Sequence, residues 1–112
     1  MPSFIQVITA TASKAEAERI AQALLEKRLA ACVQIVGPME SLYWWRGKIE
    51  RSEEWLCVAK SELALFSQLE ETIKALHSYE VPEIVAVPVV AGSAEYLQWL
   101  QEELHNKGLS SR

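Results

Sequence analysis

Few side chains in this sequence can do chemistry beyond packing. The soft and borderline metal donors are Cys32, Cys57, His77 and His105, with Glu80 and Glu83 as oxygen donors. Copper(II) outcompetes other divalent first-row ions at most sites and favours nitrogen and oxygen ligands near square-planar geometry. Cys32, His77 and Glu80 are the candidate metal ligands. Each thiol or imidazole also has a plainer reading. A free cysteine is most often a small buried hydrophobe. That applies to Cys32, and more strongly to Cys57, two residues after Trp55 on an apolar stretch. His77 falls where a helix should end, a position its dipole favours. His105 lies near the chain end and reads as solvated.

A second set mixes polar and aromatic groups: Ser41, Tyr43, Trp45, Lys60, Tyr79 and Glu80. In an oligomer, one subunit's hairpin reaching its neighbour's Lys60/Tyr79/Glu80 corner would surround a cleft with a cation, a carboxylate, a phenol and an indole. Such a mix suits a small anionic or zwitterionic metabolite. The plainer alternative is a Lys60–Glu80 ion pair at a sheet end. Enzyme signatures are missing. There is no Gly-rich phosphate loop, GxSxG or HExxH. A Cys32–His77 dyad would lack an orienting group, because the chain has no Asp and its one Asn is Asn106. The net charge of −4 and the scattering of eleven Lys and Arg argue against nucleic acid. Glu50, Glu53 and Glu54 would also repel phosphate from Tyr43 and Trp45.

The elements that must position these groups follow from the pattern. At 112 residues one domain is expected, 1–112, with 109–112 fraying. No apolar run approaches the ~20 residues of a membrane helix. Met1-Pro2-Ser3-Phe4 has no basic n-region, so no secretory signal is read. Two cysteines make no disulfide scaffold, and no CxxC occurs. These features point to a soluble, cytoplasmic protein. Phe4–Thr11 reads as a strand. Ser13-x-x-Glu16 is a capping box opening a helix to about Arg28, buried along Ala17, Ile20, Ala21 and Leu24, with Leu25 at the margin of the stripe. Cys32–Val36 is a second strand, interrupted by a bulge or bend at Gly37-Pro38 and resuming through Trp45. Arg46-Gly47 is the hairpin turn, and the third strand runs from Lys48 to Lys60.

If the turn is at Arg46-Gly47, Cys57 faces Val36 and Cys32 faces Ser61, so the two thiols are not neighbours. Ser61 is expected to cap a helix carrying Phe66, Leu69, Ile73 and Leu76, which ends before Pro82. Ile84–Val90 is a fourth strand that Pro88 confines to an edge. A last helix follows Gly92-Ser93, with Leu97, Leu100 and Leu104 on one face and Gly108 just past its end. The order β-α-β-β-α-β is the split βαβ of the ferredoxin-like fold. The class is therefore α+β, with a long β-hairpin and an extra C-terminal helix.

Such a sheet is covered on one face only. In the hairpin, Ser41, Tyr43 and Trp45 share one parity, while Leu42 and Trp44 share the other. Large apolar groups point both ways, more than a soluble monomer normally exposes. A symmetric homo-oligomer is expected, the alternative being that the last helix folds back over the open face.

The stretches Arg28-Leu29-Ala30-Ala31-Cys32-Val33, Ser41-x-Tyr43-x-Trp45-x-Gly47-Lys48-Ile49, Glu54-x-Leu56-x-x-x-Lys60, His77-x-Tyr79-Glu80-Val81-Pro82-Glu83-Ile84 and Tyr96-Leu97-x-Trp99 stand out as motifs. Together they resemble the CutA divalent-cation tolerance family. They lie in order and span nearly the whole chain. The resemblance implies a ferredoxin-like protomer, a homotrimer built on long hairpins, a likeness to the PII signalling proteins, and a role in tolerance to divalent metal ions, copper above all. Three readings follow: a copper-binding tolerance protein, a PII-like trimer with a metabolite in its inter-subunit clefts, or a stable scaffold with no ligand. One position departs from the family, which often has His-Pro-Tyr-Glu where this chain has His77-Ser78-Tyr79-Glu80. Loss of that proline is expected to loosen the backbone before Tyr79.

Overall fold

The computed structural model describes residues 3–106, so Gly108 and the tail at 109–112 lie outside the described residues. The sheet is built from β1 (Phe4–Thr11), β2 (Cys32–Trp45), β3 (Lys48–Glu62) and β4 (Val85–Pro88) in the order β2-β3-β1-β4, with every pair antiparallel. The helices are α1 (Lys14–Glu26), α2 (Phe66–Leu76) and α3 (Ala94–His105). This is the ferredoxin-like arrangement expected from the element order. β4 is an edge, and Pro88 sits opposite Ile5 there, where a missing N–H breaks no ladder on the far side.

One face of the sheet packs on α1 and α2. Ile5, Val7 and Ala59 from the strands meet Ile20 and Leu24 of α1, Leu69 and Ile73 of α2, and Leu29 and Ala30 of the link. Ser13 Oγ accepts from the Glu16 N–H at 3.1 Å, as the capping motif requires. The Glu16 carboxylate does not return to Ser13. It turns inward to the segment after α2. The helix ends at Glu26, and Arg28 takes φ 58°, the left-handed position usually given to glycine. Arg28 is held there by its guanidinium, which donates to the Glu103 carbonyl at 3.1 Å and lies 3.3 Å from the Glu103 carboxylate. Arg46 and Gly47 both have positive φ (51° and 81°), which closes the hairpin as a type I′ turn.

Two expectations are corrected. Ser61 is no helix cap. It belongs to β3, is fully buried, and donates to the Leu29 carbonyl at 2.6 Å. A 3-10 turn, Leu63–Leu65, intervenes before α2, which has no side-chain cap. The register of the hairpin base is also shifted by one. Cys32 faces Lys60 and Cys57 faces Ile35, because three steps on β2 (Val36 to Met39) match two on β3 (Leu56 to Glu54). The bulge expected at Gly37-Pro38 is the cause. The Gly37–Pro38 peptide is cis, and Trp55 covers Gly37 so closely that a Cβ there would lie 2.5 Å from Cδ1.

Because side chains alternate, one extra residue flips the parity of everything beyond it. Before the bulge, even positions of β2 face away from α1. After it, Ser41, Tyr43 and Trp45 do. They share that face with Ser52 and Glu54 of β3 and Ala10 of β1. The hairpin extends beyond the helices, so the molecule measures 46 × 27 × 23 Å with a radius of gyration of 14.8 Å. A compact domain of this length would have about 13 Å.

α3 covers the opposite end of the same face. Leu100 and Leu104 are buried, His105 Nε2 meets the buried Glu62 carboxylate at 2.8 Å, and the Tyr96 phenol is pushed up by burial and then by the Cys32 thiol. His105 is thus half-exposed but paired with Glu62, rather than simply solvated. The last helix does fold back, over the Cys32–Lys60–Glu62 end only. The hairpin end stays open.

Candidate functional site

Cys57 lies on the helix-covered face, with its Sγ donating to the Ala17 carbonyl at 3.5 Å. Burial first, and the Glu16 charge second, push its thiol up to about 11. A thiol in that state is neither a nucleophile nor a ready ligand at neutral pH. The raised value also sets a stability prediction. Below pH 9 the thiol is protonated in both folded and unfolded chains, and the stability is fully present. Between pH 9 and about 11 only the unfolded chain releases the proton, so stability is lost as pH rises through that window. The expected loss is at most about 3 kcal/mol, read from urea midpoints at pH 8.5 and 11. Cys57→Ala should flatten the profile, and an unchanged slope in that variant would count against this origin.

His77 caps α2 with a fully enclosed side chain. Its Nε2–H donates to the Ala10 carbonyl at 2.8 Å, and Nδ1 accepts from the Tyr79 N–H at 3.1 Å. These partners select the Nε2–H tautomer and use both ring nitrogens, leaving no lone pair for a metal. Beside it lies the buried carboxylate of Glu16. It accepts from the Ser78 N–H at 2.7 Å and from Ser78 Oγ at 2.9 Å. The looseness expected from the missing proline is therefore not found. Ser78 is tied down by two bonds, and a proline, lacking an N–H, could not make the first of them.

Cys32 does not join His77. It stands abreast of Lys60 and Gln6, whereas His77 contacts Ala10, four residues further along β1. That separation is about 13 Å. Glu80 is exposed, 3.6 Å from Arg46 of the hairpin tip. Among the described residues, no group of three or more His, Cys, Asp or Glu side chains is placed to hold a metal ion. Cys32, His77 and Glu80 thus do not fit a copper centre within one protomer.

The second candidate set fares differently. Ser41, Tyr43, Trp45, Tyr79 and Glu80 line one cavity of about 650 Å³, together with Ala10, Leu42, Glu54, Val81 and Glu83. Lys60 is absent from it, lying at the Cys32 end, and the Lys60–Glu80 pair is not formed. The cleft is built within one chain, because the hairpin lies over its own Tyr79 and Glu80. Tyr79 donates its phenolic O–H to Glu54 Oε2 at 2.8 Å. Burial, and then the Glu54 hydrogen bond and charge, drive that phenol well above its ordinary range. Tyr43 and Ser52 hydroxyls meet at 2.7 Å across the hairpin, and the Arg46 guanidinium stacks 5.4 Å from the Trp45 ring. Glu54 and Glu16 were not singled out from the sequence as site groups. Glu54 lies in an acidic run that reads as solvated, and only the packing of Tyr79 on it shows that it is buried, with 7% exposure.

Comparison with known proteins agrees with this architecture. The family model described as CutA1 divalent ion tolerance protein matches residues 5–103. The chain belongs to the CutA1 family. The divalent-cation tolerance protein CutA of Thermus thermophilus is 47% identical over 96 residues, covering 86% of this chain and 93% of the relative. Its solved structure superposes with a TM-score of 0.87 at 45% identity, covering 89% of this chain and 97% of that one. The rice chloroplastic CutA 1 is 40% identical over 101 residues, 90% of this chain and 56% of the relative. The solved structure of rice CutA1 gives a TM-score of 0.90 at 37% identity, covering 95% of this chain and 97% of that one. A CutA structure from Archaeoglobus fulgidus, titled periplasmic, matches with a TM-score of 0.88 at 41% identity, covering 91% of this chain and 99% of that one. CutA1 proteins are named for divalent-ion tolerance, not for a reaction. Their names place relatives in different compartments. No helix among the described residues is long and apolar enough to cross a membrane.

Proposed function

We propose that this CutA1 protein serves tolerance to divalent ions, copper foremost, as a cytoplasmic homotrimer whose working site is the cleft under the outer half of the hairpin. The carrying observation is the contrast between the two candidate sets. Five cleft residues meet in one cavity of about 650 Å³, while both nitrogens of His77 are already bonded within the protein. Pockets of this size, mostly apolar with a few convergent polar groups, bind small molecules. Assembly is supported by the second face of the hairpin. Leu42, Trp44 and its cross-strand neighbour Ile49 are all exposed there, Trp44 at 73%. An apolar patch of that kind calls for a partner, and a second copy of the chain is always present.

The test pairs native mass spectrometry with growth under copper. Tag-free protein, with stoichiometric copper(II) and a zinc control, is expected to fly as a trimer with ragged metal loading that zinc matches. Cells whose sole copy carries Trp45→Ala should lose copper tolerance, and Cys32→Ser cells should keep it. A trimer retaining three coppers against a weak chelator, and losing them in Cys32→Ser, would sink the cleft reading in favour of a metal centre.

A further inference from the structure

We propose that the ligand of this cleft is an organic cation, an ammonium or guanidinium group on an apolar body, with Glu54 as its counter-charge. The inference rests on the cleft reading above and adds the ligand class to it. It also reverses the anionic or zwitterionic class expected from the sequence, because Lys60 is not in the cavity. The lining residues include three carboxylates, Glu54, Glu80 and Glu83, and no basic side chain. The nearby Arg46 is already matched with Glu80 in a pair that is about three-quarters exposed on both sides.

Glu54 decides the sign. It is 7% exposed, and among the described residues its one side-chain hydrogen bond comes from a neutral phenol, Tyr79, to Oε2. No ion pair reaches it among the described residues; the bridges found there involve Glu16, Glu40, Glu62, Glu70, Glu80 and Glu103. A buried carboxylate with a single neutral donor is short of counter-charge and further donors. Glu54 lines the cavity, so the missing charge would stand there. A bare metal ion suits the place poorly, since no three-donor group exists among the described residues and the volume is that of an organic molecule. Tyr43, Trp45 and Tyr79 line the same space, and aromatic faces attract ammonium and guanidinium groups through their quadrupoles.

The experiment titrates the assembled full-length protein at low salt with three probes of one shape: phenethylamine, 2-phenylethanol and phenylacetate. Magnesium chloride alone is the inorganic control, and the Trp45 indole N–H resonance locates binding. The amine is expected to bind at least about tenfold more tightly than the alcohol, with phenylacetate weakest. Glu54→Gln keeps an acceptor for Tyr79 and should erase the amine's advantage while leaving the alcohol's affinity in place. If circular dichroism shows that variant unfolded, Glu83→Gln replaces it, with an expected loss of about threefold for the amine alone. Equal binding of amine and alcohol at Trp45 overturns the ligand class and leaves the cleft standing. So does magnesium binding as tightly as the amine. If no probe moves the Trp45 resonance, the cleft reading falls together with this one.

Discussion

His77→Ala is expected to lower the unfolding free energy by about 3 kcal/mol and to leave copper loading unchanged. The imidazole is wholly enclosed, and both nitrogens are bonded to backbone groups of β1 and of the segment entering the cleft. Truncation removes two hydrogen bonds, leaves the Ala10 carbonyl and the Tyr79 N–H to find other partners, and opens a cavity of ring size. It also loosens Tyr79, and through Tyr79 the hold on Glu54. Urea denaturation at one fixed protomer concentration measures the first part, since stability of an assembly depends on concentration. Copper competition in the native spectrometer measures the second. A variant of wild-type stability that has lost copper would show that His77 works as a ligand and that the enclosed geometry opens in solution.

The second large effect concerns assembly. Trp44→Glu should convert the trimer to folded protomers at about 10 µM. Trp44 and Ile49, with Leu42 at the rim of the cleft, form the apolar face of the hairpin that lies opposite Tyr43 and Trp45. Truncating a central interfacial tryptophan commonly costs about 2 kcal/mol or more, and an unpaired carboxylate adds its desolvation. Cooperative loss across the copies of a symmetric assembly multiplies that cost. Sedimentation equilibrium gives the mass, and circular dichroism checks that the protomer stays folded. Persistence of the trimer would move the interface elsewhere, for example to the exposed valines at Val81 and Val90. A wild-type chain that already sediments as a protomer would remove the assembly proposal altogether.

The two effects separate because the hairpin has two faces with different work. One faces Tyr79 and Glu54 and builds the cleft. The other faces outward. A substitution on the outer face should leave the amine preference measurable in protomers, provided the neighbouring subunit supplies no cleft residue.

Much of this architecture was legible in the residues. Alternation, the Ser13 cap, the hairpin turn at Arg46-Gly47 and the edge position of Pro88 are local features. Backbone sterics and hydrogen-bonding capacity write them into a few adjacent residues each. The grouping of Ser41, Tyr43 and Trp45 was legible for the same reason, since period two is a property of any strand. Which face that group would occupy was not. It depends on whether the Gly37-Pro38 interruption inserts one extra residue or only bends the strand, and Gly-Pro marks the place without giving that count. Glu54 and Glu16 were hidden by a related limit. Acidic side chains in a polar run read as solvated, and only packing shows that one is enclosed under Tyr79 and the other under Ser78. Lys60 and His77 erred in the opposite direction. Proximity along the chain and a plausible sheet end suggested partners that the antiparallel register places about four residues apart. The sequence by itself determined the elements and their order, because these rest on local sterics and on the periodicity of apolar residues, and its motif stretches carried the resemblance to the family. Only the tertiary structure decided which polar groups share a cavity, which histidine is enclosed and what sign of charge the cleft carries. Those depend on register and burial, which are set by contacts between residues far apart in the chain.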